Sequence, residues 1–593
     1  MKLRIELNKR NLISTFIIFC FISFTCMVAT RDTKTIIDDI IPLAGGNVEA
    51  MFYVESSDGG STTCIGDGLI NSTQDISNNE SEVEHSIVSS PDYSAVVGNE
   101  LRIAWHTIKH EDGEYRVIGK LTSADKSTDS DTAISVSTFA DLQSITAAEG
   151  TTVSTKGFYA ENDGGGAEYI ISSSADTLNI PNVSAQISNG LYANLVYSSS
   201  INVRQVGAHG DGVTDDTSLF ASVMSKAPNN NVYIPAGSYS LSETVFIPSG
   251  TIITGDGKSS IIIACTGFAR GDDLLKINNA TDITLSGISI SGDIASNSKL
   301  LGHNDIDGIH LLDIWNSNKI NIKNCSFIDN VYAGVRFIGD CSDISVNSTE
   351  FNNIDCGLVH LGSGALTNFV VENCVFDGHK NSESISLFGT GTYTNIIIDN
   401  NIIKNKTKGH AIYSAHGTTN GIYITNNTLL DDCVGIYLKN ANDVLIDNNV
   451  IDFSNCITMN NGKGINITSC ANVTLSNNSI CKTSQQGLYI NGCTNVSATN
   501  NIVADCGYVN NDFHAVDLRE SCSNVILESN QIIRNDDTLS PYSFVAHCSG
   551  SVTIKNNVFE NTKALLAKDS SNLIMSGNGV VVNNQGSNNS ITD

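Results

Sequence analysis

From about residue 280 the chain keeps returning to one phrase, and that return constrains its fold more than anything else in the sequence. Residues 316–328 read NSNKINIKNCSFI, 393–403 YTNIIIDNNII, 420–430 NGIYITNNTLL and 442–451 NDVLIDNNVI. Then follow 471–480 ANVTLSNNSI, 494–503 TNVSATNNIV, 523–533 SNVILESNQII and 549–559 SGSVTIKNNVF. Adjacent asparagines stand at 400/401, 426/427, 448/449, 477/478, 500/501 and 556/557, a repeat of roughly 26 residues. A second phrase, Gly/Ala-Ile-x-Leu, recurs as Gly308-Ile309-His310-Leu311, Gly334-Val335-Arg336-Phe337, Gly435-Ile436-Tyr437-Leu438, Gly464-Ile465-Asn466-Ile467, Gly487-Leu488-Tyr489-Ile490 and Ala515-Val516-Asp517-Leu518.

Period-two alternation gives each short strand an inward and an outward row. One such coil cannot stand alone, because burying its few inward side chains returns far less than ordering its backbone costs. Stacking supplies hydrogen bonds above and below and one continuous apolar column. The sequence therefore predicts an all-β, right-handed parallel β-helix of about 13 coils, some 4.8 Å apart. Asparagine suits its corners, since it tolerates the left-handed conformation and its amide can bond the same amide one coil away. Neither a leucine-rich LxxLxL phrase nor a propeller-blade unit is present.

The net charge of −29, from 62 acidic and 33 basic residues, argues against nucleic acid as a partner. At the N-terminus, Lys2, Arg4, Lys9 and Arg10 precede an apolar run from about Leu12 to Ala29. This reads as a signal peptide or an uncleaved membrane anchor over 1–30, and it predicts a secreted or cell-surface protein. Export would make the 16 cysteines candidates for disulfides. Yet Cys470, Cys493, Cys522 and Cys548 recur at one point of the repeat, and Cys325, Cys374 and Cys481 at another. That placement suits stacked, buried fillers.

Ahead of the repeats, residues 201–217 read INVRQVGAHGDGVTDDT and 231–241 NVYIPAGSYSL. Gly207, Gly210 and Gly212 permit tight turns, and Asp216 or Thr217 can cap a helix with Leu219, Phe220, Val223 and Met224 on its apolar face. Such a helix would cover the open end of the column. On these residues the chain resembles the pectate-lyase-like β-helix superfamily of secreted polysaccharide-degrading enzymes and phage tailspikes. The resemblance spans about residues 200–582 and implies a β-helix acting on or binding polysaccharide. Residues 157–169, GFYAENDGGGAEY, resemble the module preceding this β-helix in phage tail proteins, so 136–199 reads as a small β module or linker. Residues 31–135 form a region of unknown fold, and 583–593 a polar tail.

Ligands of a β-helix lie along an outward strand row. Aligning the second phrase gives such a row: His310, Arg336, Ser386, Tyr413, Tyr437, Asn466, Tyr489 and Asp517. Tyrosines one coil apart suit sugar rings. Three clusters of ionisable residues flank the row: Asp305, Asp307, His310 and Asp313; Asp377, His379 and Glu383 with Lys408 and His410; and Asp512, His514, Asp517 and Arg519. Asp307-Gly308-Ile309 resembles a step of polygalacturonase-type hydrolases, whose Asp-Asp, Gly-His-Gly and Arg-x-Lys signatures are missing here. The expected catalytic residues are Asp305, Asp307, Glu383 and His410. The expected substrate contacts are His310, Arg336, Tyr413, Tyr437, Tyr489, Asp517 and Arg519.

The function expected is internal cleavage of a polysaccharide, by glycoside hydrolysis rather than elimination. The alternatives are a lyase or epimerase on the same fold, and a non-catalytic glycan-binding or tailspike-like adhesion rod, a homotrimer if it is a spike. No metal ligand set or cofactor motif is visible, and Ca²⁺ enters only on the lyase reading.

Overall fold

The computed structural model describes residues 134–592 apart from 198, 228–229, 270, 294–308, 379–381, 407, 432–433, 456–461, 509–511, 536–541, 549, 562–564 and 568–571; before residue 133 it describes only strands. Two units divide at Thr132 and Ala133. In the first, Phe16–Cys20 pairs antiparallel with Ser23–Met27. A five-stranded antiparallel sheet follows in the order Lys34–Leu43, Asn47–Glu55, Glu114–Ser123, Leu101–Lys109, Ser81–Ile87. No helix among the described residues is long and apolar enough to cross a membrane.

The second unit opens with a five-stranded sheet between Ile134–Val136 and Tyr192–Leu195. Its GFYAEND loop is tied by Asp163, whose carboxylate accepts from the N–H groups of Phe158, Tyr159, Ala160 and Gly165. The solenoid then runs from Ile201 to Thr592. One parallel sheet holds 16 strands, and a second, continuous around a corner, holds 26. The first sheet has more rungs than the sequence phrases suggest, because it takes in the coils from Ile201 onward, ahead of the first quoted phrase.

The capping helix spans Thr217–Lys226 and buries Leu219, Phe220, Val223 and Met224. Its cap differs from the expected one. Asp216 turns away to accept from the N–H groups of His209 and Gly210, and Asp215 accepts from the N–H of Thr217 instead. The loop needs that anion because Gly207 and Gly210 both sit at positive φ, +104° and +59°, and leave backbone donors turned inward.

Inside the column, like stacks on like. Phe327, Phe351 and Phe376 form a ring stack with centroids 5.2 and 4.7 Å apart. The asparagine pairs divide their labour. The first of each pair takes the left-handed conformation, as at Asn400, Asn426, Asn448, Asn477, Asn500 and Asn556. The second is buried and forms a ladder through Asn401, Asn427, Asn449, Asn478, Asn501, Asn530, Asn557 and Asn578. At each step the N–H and the Nδ2 of one asparagine donate to the Oδ1 of the next, as from Asn427 to Asn449 at 3.0 Å each. Nδ2 also donates to a carbonyl one coil back, for Asn427 that of Ile398. Asn530 and Asn578 belong to the ladder although Ser529 and Gly577 hold the corner before them.

The described cysteines are free thiols. Cys470, Cys493, Cys522 and Cys548 lie buried on successive coils, as their spacing predicts. Cys481 does not share the column of Cys325 and Cys374. It pairs with Asp452 and Ala504, three residues beyond the ladder position.

Candidate functional site

Parallel pairing puts Lys276, Asp313, Arg336, Val359, Ser386, Tyr413, Tyr437, Asn466, Tyr489, Asp517 and Val545 in one outward row. From Arg336 onward this matches the expected order, with one extra coil at Val359. His310 does not belong to it. Leu312, not Ile309, pairs with Val335, so the Gly308-Ile309-His310-Leu311 phrase is three residues out of phase and Asp313 takes the place assigned to His310.

His310 is buried instead, with Nδ1 2.7 Å from Asp273 Oδ1 and its ring edge-on to Tyr332. Burial pushes the imidazole pKa down despite that carboxylate. Arg336 is equally committed: Nε donates to Asp313 Oδ1 at 2.6 Å and Nη2 to Asp273 Oδ1 at 3.2 Å. Lys276 bridges the same two carboxylates at 2.7 and 3.2 Å and lies 4.8 Å from the ring centroid of Trp315. Arg336 and Lys276 are thus matched to Asp273 and Asp313, while the buried His310 Nε2 has no hydrogen-bond partner among the described residues. Asp305 and Asp307 lie outside the described residues.

Two residues before each inward Ile, Leu or Val of the same coils runs a second line: Glu383, His410, Val434, Lys463, Gln486 and His514. A small Ser, Ala or Gly follows each of them, and Gln486 and His514 are buried. Glu383 and His410 meet here, Oε1 to Nδ1 at 3.6 Å, an ion-pair distance rather than a hydrogen bond. Ser382 Oγ donates to Glu383 Oε2 at 2.8 Å, and Lys406 Nζ donates to the Ser382 carbonyl. Burial alone would raise the Glu383 carboxyl, but His410 and the Ser382 hydroxyl outweigh it and hold the pKa down to about 2.

An aromatic group surrounds the pair. The His410 ring lies 4.9 Å from that of Tyr413 and 5.3 Å from that of Tyr437, and the two tyrosines are 5.5 Å apart. Tyr413 is hydrogen-bonded through its hydroxyl to His416 Nε2 at 3.0 Å, and exposed Phe388 stacks near both.

Farther along, a cleft of about 600 Å³ is lined by Lys463, Gln486, Tyr489, Asp517, Arg519 and His547, among others. Lys463 Nζ stands 3.7 Å above the centre of the Tyr489 ring. Arg519 grips Asp517 bidentately at 2.7 and 2.8 Å, and Gln486 Nε2 donates to the same carboxylate at 3.2 Å. Asp517 is therefore a buried anchor, and Arg519 and Tyr489 are the members of the expected set that face the opening. Sequence reading missed Lys463, Gln486, Phe388 and His416. For the first two the signal was present, since each immediately precedes the Gly of a recognised phrase.

Comparison with known proteins agrees with this architecture. Residues 200–284 match the family described as rhamnogalacturonase A/epimerase, pectate lyase-like, and residues 417–593 match the right handed beta helix region. The solenoid is a right-handed parallel β-helix, and its first coils match the pectate-lyase-like model. Among similar proteins, the preneck appendage protein of Bacillus phage PZA is 31% identical over 192 residues, 30% of this chain and 20% of that protein. The plasmin and fibronectin-binding protein A of Streptococcus pneumoniae is 27% identical over 172 residues, 26% of this chain and 24% of that protein. The chain thus spans a fifth to a quarter of these relatives. Tailspike protein 2 of an Escherichia coli O157:H7 bacteriophage has a TM-score of 0.40 at 12% identity, over 82% of this chain and 59% of its own. The A-module of an Azotobacter vinelandii mannuronan C-5 epimerase has a TM-score of 0.38 at 13% identity, over 66% and 97%.

Proposed function

We propose that the chain is an exported carbohydrate-active protein that cleaves a polysaccharide internally along the outward face of its β-helix. The observation that carries this is the meeting of Glu383 and His410 between Tyr413, which is buried, and Tyr437, which is half-buried. The half-buried Tyr437 and Tyr489 offer ring faces that can hold sugars by C–H contact along the row. Glu383 stays ionised at neutral pH, and a carboxylate held so low is a weak base. Its role is to orient His410 and to stabilise positive charge on it, as carboxylates beside catalytic imidazoles do. His410 is the group that moves the proton. The reaction is read as hydrolysis; elimination would require a cation beside the base to neutralise a uronate, and of the expected candidates Arg336 is spent on Asp313 and Asp273 while Lys408 stands two residues before His410.

Incubation with plant, capsular and host glycans tests the proposal. New reducing ends are expected, their release abolished in His410→Ala. Unsaturated products would reassign the reaction to elimination, and a changed sugar without chain shortening to epimerisation.

A second reading is favoured by the similarity to phage appendage proteins: a non-catalytic glycan-binding rod, trimeric if it works as a spike. Binding without any product, together with a trimer mass in light scattering, would select it.

A further inference from the structure

We infer that Cys470 with Cys493, and Cys522 with Cys548, are the sites of two disulfide bonds that staple consecutive coils of the solenoid. The inference is independent of the glycan reading, and its failure would leave that reading as it stands.

Register places the first pair side by side. Thr468 pairs with Asn491 just before the two cysteines, and Ala471 pairs with Thr494 just after them. Cys470 and Cys493 are therefore level, with Cα atoms about 4.8 Å apart at the spacing of paired strands, inside the range of roughly 4.4–6.8 Å that a disulfide spans. Both are buried, and the N–H of Cys470 donates to Cys493 Sγ at 3.4 Å. One coil on, Thr494 pairs with Ser523, which sets Cys522 level with Cys493. Cys548 ends the next strand, where it pairs with Glu520, two residues ahead of Cys522, and it is buried as well. The thiols touch in twos: Cys493 holds the Cys470 pKa down and Cys548 that of Cys522, in each case against burial.

Filling space does not by itself call for four sulfurs in succession. On the preceding coils the same column holds Cys341, Leu366, Tyr393, Thr419 and Ala441, side chains of very different size. Oxidation gives up only weak S–H···O contacts, from Cys470 to the Thr468 carbonyl at 3.3 Å and from Cys522 to that of Arg519 at 3.1 Å. Cys325 and Cys374 mark the limit of the device. Thr349 lies on the coil between them, so they stand two spacings apart and out of each other's reach.

The oxidant is a low-molecular-weight disulfide, met while the coils are still open, as an exported chain meets one in an oxidising compartment. One cysteine thiolate attacks it, forms a mixed disulfide and expels one thiolate. The second cysteine loses its proton, attacks the mixed disulfide at the protein sulfur and expels the other thiolate. Each bridge thus consumes one oxidant disulfide, which is reduced to two thiols.

The test is refolding of the full chain in a buffer of oxidised and reduced glutathione, then alkylation and peptide mapping without reductant by tandem mass spectrometry. Peptides joined through Cys470–Cys493 and through Cys522–Cys548 are expected, with Cys325 and Cys374 alkylated. Cys470→Ala puts into the column a residue it already accepts at Ala441. This variant should release Cys493 as an alkylated thiol and leave the Cys522–Cys548 bond intact, with the melting temperature as the control for folding. Alkylation of all four cysteines in the refolded wild type, or Cys493 joined to Cys522 in either protein, overturns the inference.

Discussion

His410 and Glu383 stand side by side, Nδ1 3.6 Å from Oε1, only because the chain completes one coil between them. Neither residue has a local reason to meet the other. Stacked coils turn a long sequence separation into a contact, and the same device lines up Tyr413 with Tyr437.

If His410 moves the proton, His410→Ala should lower kcat by roughly 10²–10⁴-fold with little change in KM. Added imidazole should restore part of the loss. Glu383→Gln should lower kcat without being rescued by imidazole, because it removes the orienting group rather than the proton carrier. Melting temperatures of both variants serve as the control for folding.

Glu383 also makes stability depend on pH. Its carboxyl is held at about 2, against an ordinary value of 4.5, so the stabilisation is fully present above pH 4.5 and disappears as the pH falls toward 2. The contribution is on the order of 3 kcal/mol. Denaturant unfolding of wild type and Glu383→Gln should give curves that converge between pH 4.5 and 2. Curves that stay parallel through that window would show that the carboxylate gains nothing from its neighbours.

The asparagine ladder should behave differently at its two positions. Asn449→Ala leaves both the N–H and the Nδ2 of buried Asn427 without their acceptor, at a cost of about 2–4 kcal/mol. Asn448 sits one residue earlier at φ +54°, where Asn448→Gly should cost little and Asn448→Val much more, since a β-branched residue resists that conformation. Thermal unfolding of the three variants separates the two roles.

Arg336 gives a contrast with the binding residues. Arg336→Ala strips Asp313 and Asp273 of a guanidinium in a nearly closed site and should cost about 3–5 kcal/mol of stability. Glycan affinity measured below the lowered melting temperature should stay close to that of wild type. A loss of affinity with unchanged melting temperature would return Arg336 to the substrate.

Much of the fold was legible in the residues. The repeat fixed the parallel coils, the asparagine pairs fixed the corners, and the spacing of Leu219, Phe220, Val223 and Met224 fixed the buried face of the capping helix. The tyrosine row was legible too, because alternation along a strand decides which side chains point out. Where the sequence misled, the cause was phase. The Gly308-Ile309-His310-Leu311 phrase has the right composition, yet it pairs three residues off, and His310 went from an outward row to a buried place against Asp273.

The chain's own order of residues determined that it must stack, since no coil buries enough by itself, and roughly which residues lie one coil apart. Only the tertiary structure decided which charges are already spent and which remain available. Asp517 and Arg519 look like a free acid and a free base in the sequence and are locked to each other in the molecule, whereas Lys463, unnoticed in the sequence, rests its ammonium on the face of Tyr489. Such matching depends on distances of a few ångströms across coils, and a repeat in sequence specifies a neighbour without specifying which of its atoms are in reach.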